Sequence, residues 1–462
     1  MDRPHTSDYL REFRWYRRSR LWVVPTAGAA AALLISVGSL TLDHVALGKD
    51  APFPVFTGST ETAQAILTLI ATSIATLTAL VLTIVAVVIQ LATQALSPRA
   101  VRTFLQDAHS HLTIGTFVTT FTYALIVLQQ FSLISTSEQG QVASSSVTIA
   151  FVLAVVSIGM FISYVDHIVH QARVTSIIDR IANETRYAIE RQYGSVDGQE
   201  PGRSSPQDDD VPDRDPDHVV RPRRHGVVLE IDVKAVIATA TELELVVEMI
   251  PAPGDFIPTD GRLFTVYGER AAEADRLLSQ VAIDAERSIT QDIPFGFRLL
   301  IDIAERSLSP GINDPTTATQ VLDQLHDLLL MLGTRDLSTG RYHDRDGILR
   351  LKVNEPDWDV YVALAFEEVR IYGASSMQTV RRIRAGVLDL CHDLPEDRHP
   401  PLLRQLELLD ATVERGFHTE AEQRSAASPD RQGIGSGSGF DRVGAASGPS
   451  PGDRRHGTPD RT

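Results

Sequence analysis

Four apolar stretches crowd the first 170 residues, at about Leu21–Leu42, Ala65–Ile89, Leu112–Ile134 and Val147–Val165, and none has an acidic or basic residue in its interior. A helix needs about 20 apolar residues to cross a hydrocarbon core of about 30 Å. Buried soluble helices rarely need runs of that length, so the pattern predicts four transmembrane helices. The charged residues around them predict an orientation. Arg11, Arg14, Arg17, Arg18 and Arg20 precede the first stretch, Arg99 and Arg102 follow the second, and Arg173, Arg180, Arg186 and Arg191 follow the fourth. The first connector, Asp43 to Thr62, sets Lys49 against Asp43, Asp50 and Glu61, and the third carries Glu138 with no basic residue. The expected location is the cell membrane, multi-pass, with both termini and the C-terminal half cytoplasmic. The long basic region and the lack of a small-residue cleavage site argue against a cleavable signal peptide.

Charge divides the chain in the same place. Residues 1–190 hold 12 basic and 12 acidic side chains, so the whole net charge of −16 resides in residues 191–462. An acidic soluble half argues against nucleic acid and against wrapping onto anionic lipid. The single cysteine, Cys391, excludes an intrachain disulfide and fits a reducing compartment.

The expected organisation begins with a basic arm (1–20), the four-helix transmembrane domain (21–168) and an amphipathic helix (169–193) with apolar positions Ile168, Val174, Ile177, Ile178, Ile181 and Ile189. A Pro-, Gly-, Ser- and Asp-rich stretch (194–224) reads as a disordered acidic linker. Residues 225–270 read as a small β module, with strands at Val227–Ile231 and Leu245–Ile250 around a helix at Val233–Glu242. Pro253-Gly254-Asp255-Phe256 to Leu263-Phe264 resembles the hairpin of biotinyl- and lipoyl-type barrel-sandwich modules, without their modified lysine. Residues 271–418 read as helical throughout, with Asp314 capping a helix that starts at Pro315, and 419–462 as a disordered tail. The fold class is therefore an α-helical integral membrane protein with a cytoplasmic α+β domain, a barrel-sandwich-like β module plus a helical domain.

Two runs in the helical domain are distinctive. Glu286-Arg287-Ser288-Ile289-Thr290-Gln291-Asp292-Ile293-Pro294-Phe295-Gly296-Phe297-Arg298 is followed by Asp302-Ile303-Ala304-Glu305-Arg306-Ser307-Leu308-Ser309-Pro310-Gly311-Ile312-Asn313-Asp314-Pro315. Together with Ser97-Pro98-Arg99, the Pro-Gly-Asp-Phe hairpin and Leu21-Trp22-Val23-Val24-Pro25, they resemble the signature of the domain-of-unknown-function 2254 family of bacterial predicted membrane proteins, over about residues 10–415. Asp166-His167 stands where that family usually has two adjacent histidines, and the acidic linker looks like an insertion. The resemblance implies fold and location, and no established activity.

Three groups of residues are candidate sites. Arg298, Asp302, Arg306, Asn313 and Asp314 form either an ion-pair ladder with a capped turn, or a site for a small anionic ligand at a helix start. Thr68, Thr72, Thr76, Thr83 and Gln90 trace one polar face of the second span, beside Ala71, Ala75 and Ala79. That face serves close helix packing, or lines a hydrated path in an oligomer. His109, His111, His167 and His170, near Asp107 and Asp166, are weak candidates for a metal or a pH response. No zincin, Walker or nucleophile-elbow pattern occurs, so neither an enzyme nor a cofactor is expected. The expected function is an oligomeric channel- or transport-type protein gated or assembled by its cytoplasmic domain, with the bilayer and further copies of the chain as partners. The alternative is a membrane-tethered sensor or scaffold whose cytoplasmic domain binds a ligand or protein.

Overall fold

The computed structural model describes residues 23–45, 56, 58–95, 108–134, 144–171, 173–194, 210–337 and 340–434. The chain divides into two compact units, residues 1–177 and 178–462.

The first unit contains α1 (Val23–Val45), α2 (Thr60–Ala95), α3 (Ala108–Ile134) and α4 (Ser144–Gln171). Among the described residues, three stretches are long and apolar enough to cross a membrane, Thr60–Val88, His109–Gln130 and Ser145–Ile168, whereas the described apolar part of α1, Val24–Ser39, is shorter. Helix α3 packs against the other three. It approaches α1 closely because a Cβ on Gly28 would meet Thr119 Oγ1 at 2.6 Å and the Gly115 carbonyl oxygen at 2.7 Å. Small residues at such crossings let helix backbones come together where lipid supplies no hydrophobic drive. Hydroxyls bind the interior: Tyr123 donates to Ser39 Oγ (3.0 Å) and to the Ser146 carbonyl (3.1 Å), and Thr120 and Ser157 share a bond of 2.8 Å. Large apolar side chains instead face outward, with Leu34 76% and Leu69 67% exposed.

The second unit begins on α5 (Val174–Tyr193). Its apolar side, Ile178, Ile181, Ala182, Ala188 and Ile189, is buried. Strands β1 (His218–Val220), β2 (Gly226–Ile231), β3 (Val246–Met249), β4 (Phe256–Ile257), β5 (Phe264–Tyr267), β6 (Val281–Asp284), β7 (Arg341–His343) and β8 (Leu349–Val353) form two sheets. One runs β1-β5-β3-β8-β7 with only β3 and β8 parallel, and the other runs β4-β2-β6, antiparallel. With α6 (Val233–Glu242) they enclose one core that includes Val228, Val236, Leu245, Val247, Phe264 and Leu351.

Four expectations need correction here. No barrel-sandwich hairpin forms, because β4 pairs with β2 while β5 pairs with β1 and β3. The 271–418 segment opens on a 3-10 helix (Ala271–Gln280) but is not all helical, because it contains strands β6, β7 and β8. The 194–224 linker is ordered from Asp210. There His218–Val220 pairs with Phe264–Val266, while Lys352 Nζ holds Asp210 at 2.7 Å. The tail is also ordered to Ile434, as described below.

The rest is helical: α7 (Ile293–Leu308), α8 (Pro315–Gly333), α9 (Trp358–Tyr372), α10 (Met377–Asp393), α11 (His399–Gly416) and α12 (Glu420–Ala426). Side-chain caps start most of them. Asp292, Asp314, Asp357 and Ser376 each accept a backbone N–H three residues on, and Thr419 forms a capping box with Glu422. After α12 the chain lies along α10. Arg381 Nε donates to the Ser428 carbonyl (3.0 Å), and Asp430 is buried.

Candidate functional site

The two distinctive sequence runs meet at α7, and most of their residues have a mechanical task there. Asp292 is 1% exposed, caps α7 through Phe295 N (3.1 Å) and accepts Arg287 Nε at 2.7 Å. Burial pushes its carboxyl above the usual range, against the pull of Arg287. The hairpin glycine explains why the Pro-Gly-Asp-Phe run goes with this pair. Gly254 sits at φ +95°, and a Cβ there would overlap Asp292 Oδ2 and meet Arg287 at 2.5 Å. Gln291 ties the same corner to β2 through the Ile231 N–H (2.8 Å) and carbonyl (3.1 Å). One turn into α7, a Cβ on Gly296 would overlap Thr185 Oγ1, so glycine is what lets α5 cross α7. Phe297 then packs on Tyr361 of α9 with ring centroids 5.5 Å apart, and the Tyr361 hydroxyl meets that of Tyr193 on α5 at 3.3 Å.

Arg298 is the centre of charge. Its guanidinium donates to Asp302 (2.5 Å) and Glu305 (3.1 Å) on its own helix and to Glu368 on α9. Burial, then the neighbouring Glu368 carboxyl, push Glu305 up to about 7, whereas Glu368 is held below the usual range by Glu305 and Arg298 beside it. Glu305 is the more enclosed side chain, 17% exposed against 48% for Glu368, which is why burial weighs more heavily on it.

The five predicted residues do not converge on one anion. Arg298 is occupied by three carboxylates, and Arg306 lies in the last turn of α7, about 12 Å along the axis at 1.5 Å per residue. At the α8 start, Asp314 already caps, accepting Thr317 N (3.2 Å) and Thr317 Oγ1 (2.6 Å). Asn313 stands exposed at φ +50° and turns the chain between the helices. Glu305 and Glu368 were not singled out from the sequence. Glu305 sits seven residues after Arg298 on the same helical face, which was a visible signal, whereas Glu368 is 70 residues from Arg298 and had none.

In the first unit, Thr68, Thr72, Thr76, Thr83 and Gln90 all lie exposed on α2. Each threonine hydroxyl donates to the carbonyl four residues earlier, at 2.8–2.9 Å. Ala75 and Ala79 share that exposed side, while Ala71 is buried. The stripe therefore faces away from α1, α3 and α4 rather than into them. Of the four histidines, His109 and His167 come together, with ring centroids 4.6 Å apart and His109 Nε2 3.2 Å from Ser163 Oγ. His111 is buried, and the side chain of His170, like the whole of Asp107, lies outside the described residues. Among the described residues no group of three or more His, Cys, Asp or Glu side chains is arranged to hold a metal ion.

The family model described as a predicted membrane protein, DUF2254, matches residues 18–388, a span that includes both distinctive runs and the α2 stripe. The chain belongs to this family. It is a membrane protein of that family and has relatives in mycobacteria. An uncharacterised protein, Mb1321c, of Mycobacterium bovis and another, Rv1290c, of Mycobacterium tuberculosis are each 26% identical over 426 residues, covering 88% of this chain and 79% of the relative. No solved structure matches. The family match ends inside α10, so α11, α12 and the segment to Ile434 lie beyond it.

Proposed function

We propose that this membrane protein acts as a non-enzymatic oligomer of the channel or transport type in the cell membrane, assembled or gated by its second unit. In this reading α1 is a fourth span, both termini are cytoplasmic, and copies meet along the polar side of α2. The carrying observation is that Thr68, Thr72, Thr76, Thr83 and Gln90 lie exposed on one copy, beside Ala75 and Ala79, on a helix otherwise apolar enough to cross a membrane. A polar side of that kind is poorly placed against lipid tails. Small residues favour helix–helix approach, and the self-bonded hydroxyls tolerate either a dry seam or a hydrated path. The Arg298, Glu305 and Glu368 cluster favours a second reading, a membrane-tethered sensor, because perturbed carboxylates often mark responsive sites.

Cysteine labelling separates the readings. In a Cys391→Ser background, single cysteines at Thr72, Thr76 and Thr83 react with small water-soluble thiol reagents if a hydrated path exists, while those at Leu80 and Val87 do not. Thiolate forms in water and is suppressed in hydrocarbon. Protection at all five positions, in an assembly that cross-links between copies through Thr76→Cys, leaves a dry subunit seam and removes the channel reading.

A further inference from the structure

Among the described residues four arginines are less than a tenth exposed: Arg350, Arg370, Arg381 and Arg382. An arginine so enclosed is rarely left without partners. Arg350 meets Asp344 at 2.7 Å, Arg382 meets Asp323 at 2.6 Å, and Arg381 Nε donates to the Ser428 carbonyl at 3.0 Å. Arg370 is different. It is 8% exposed, and its Nη1 donates to Thr412 Oγ1 of α11 at 2.9 Å. Its Nε is enclosed with no acceptor, and no carboxylate of the described residues lies within 4.0 Å of its guanidinium.

A second cation stands beside it. Thr412 is fixed by its own bond to the Leu408 carbonyl (2.8 Å), and Arg415 follows three residues later on α11. The end of α11 lies against the turn after α9, since a Cβ on Gly416 would meet the Ala374 carbonyl oxygen at 2.7 Å. Arg415 Nε donates to the Ala411 carbonyl at 2.9 Å, and its two terminal nitrogens bond to no described residue. Arg415 and Ile371 are exposed, so the pair opens on solvent. We propose that Arg370 and Arg415 bind a phosphate group carried by a small soluble molecule, with Thr412 fixing the Arg370 guanidinium. The inference concerns the second unit alone and does not rest on the oligomer reading.

Guanidinium cannot shed its proton, so burial cannot be relieved by neutralisation as it can for lysine. Burial holds Arg370 below its ordinary value, Glu367 pulls it upward and Arg415 pulls it down again. Glu367 is exposed, which weakens its hold. Arg370 and Arg415 both lie in the last turns of their helices, where the helix ends carry about half a negative charge each. Those ends soften the repulsion without supplying an acceptor for the free nitrogens. A phosphate group presents three oxygens and up to two negative charges, enough to serve both guanidinia at once.

Thermal melts of the full-length protein in phosphatidylcholine nanodiscs, titrated with inorganic phosphate against chloride at constant ionic strength, test this. Phosphate should raise the melting temperature of the second unit, as a ligand of the folded state does. Arg415→Gln changes an exposed side chain and should weaken apparent phosphate affinity by about tenfold or more while leaving the phosphate-free melt unchanged. Arg370→Met should lose the response and, by removing a buried charge with no carboxylate partner, melt no lower than wild type without phosphate. A lower melt with the response intact would make Arg370 structural and overturn the site. So would a wild type indifferent to phosphate, or an equal response in Arg415→Gln, which decides alone should Arg370→Met fail to fold. A rise seen only with phosphatidic acid in the discs, and not with free phosphate, would give the pair to a lipid headgroup and overturn the soluble ligand.

Discussion

In the first unit Thr68, Thr72, Thr76 and Thr83 each donate a hydrogen bond to a carbonyl of their own helix, while in the second Arg298 reaches from α7 to Glu368 on α9. The same contrast recurs. Tyr123 with Ser39 and Thr120 with Ser157 are neutral polar contacts between helices of the first unit. The second unit joins helices by ion pairs, Arg186 with Asp327 and Arg382 with Asp323, and starts them with aspartates. Hydrocarbon penalises unpaired charge and leaves hydroxyls to be satisfied locally, whereas water lets charges be placed freely and spent on specificity. The difference teaches that substitutions should act through different physics in the two units, and it can be broken.

The largest effect is expected at Arg298. Arg298→Ala leaves three carboxylates facing one another, and removing one partner of an enclosed charge cluster costs about 3 kcal/mol. The loss should shrink as pH falls from 8 to 5, because protonation relieves the repulsion. Thermal melts of the purified protein at the two pH values measure this. A melting temperature unchanged at pH 8 would return Arg298 to the role of a ligand-binding residue.

Next comes the α5–α7 crossing. Gly296→Ala drives a methyl into Thr185 and should cost about 1–3 kcal/mol through overpacking. Thr185→Ala in the same chain should recover part of the loss, a coupling that a double-mutant cycle reads directly. The matching change in the first unit, Gly28→Ala, meets Thr119 and the Gly115 backbone. If it proves harmless, helix crossings in the two units are not built alike. Loss of the chain after Thr419 should also cost about 1–2 kcal/mol, since it removes α12 and the bonds of Arg381 and Gln378 to Ser428 and Gly433, each worth about 1 kcal/mol.

How legible these features were depended on how far apart in sequence their partners lie. Helices α6 and α9 run over the residues their periodicity marks, and Asp314-Pro315 starts α8 as a cap and first-turn proline should. Those are local signals. Strand β8 was not: its neighbour β3 lies about 100 residues earlier, and Leu349–Val353 is short enough to pass for a loop between helices. Strand β1 hid among Asp and Pro residues because three residues, His218–Val220, suffice once β5 offers an edge. The hairpin expectation failed for a related reason. Phe256-Ile257 and Phe264 are adjacent apolar fragments, but each has a longer partner than the other could offer. In the candidate site, Arg298, Asp302 and Asp314 were visible as spacing, whereas the glutamate pair and the fit of Gly254 against Asp292 exist only after folding.

Asp314→Ala is a smaller test, costing about 1 kcal/mol by loss of the α8 cap, readable in chemical denaturation of the second unit. A loss several times larger would mean that Asp314 holds more than its own helix end.

The smallest effect belongs to the α2 stripe, and it is the most discriminating for the first unit. Thr76→Val removes a hydroxyl that serves only the Thr72 carbonyl, at a position exposed on one copy. Within a copy the change should stay within about 0.5 kcal/mol, the usual range for an exposed substitution. Thr76→Leu adds bulk without adding charge, so it too should spare the single copy. If α2 is where copies meet, Thr76→Leu should dissociate the extracted assembly while Thr76→Val leaves it intact, because the seam depends on small volume rather than on the hydroxyl. If α2 borders a hydrated path, Thr76→Val keeps the oligomer but lowers flux by drying the wall. If both variants leave assembly and flux unchanged, α2 faces lipid. The contrast between the units would then have to be drawn from Tyr123, Ser39 and Thr120 alone, the interior hydroxyls that hold α1, α3 and α4 together.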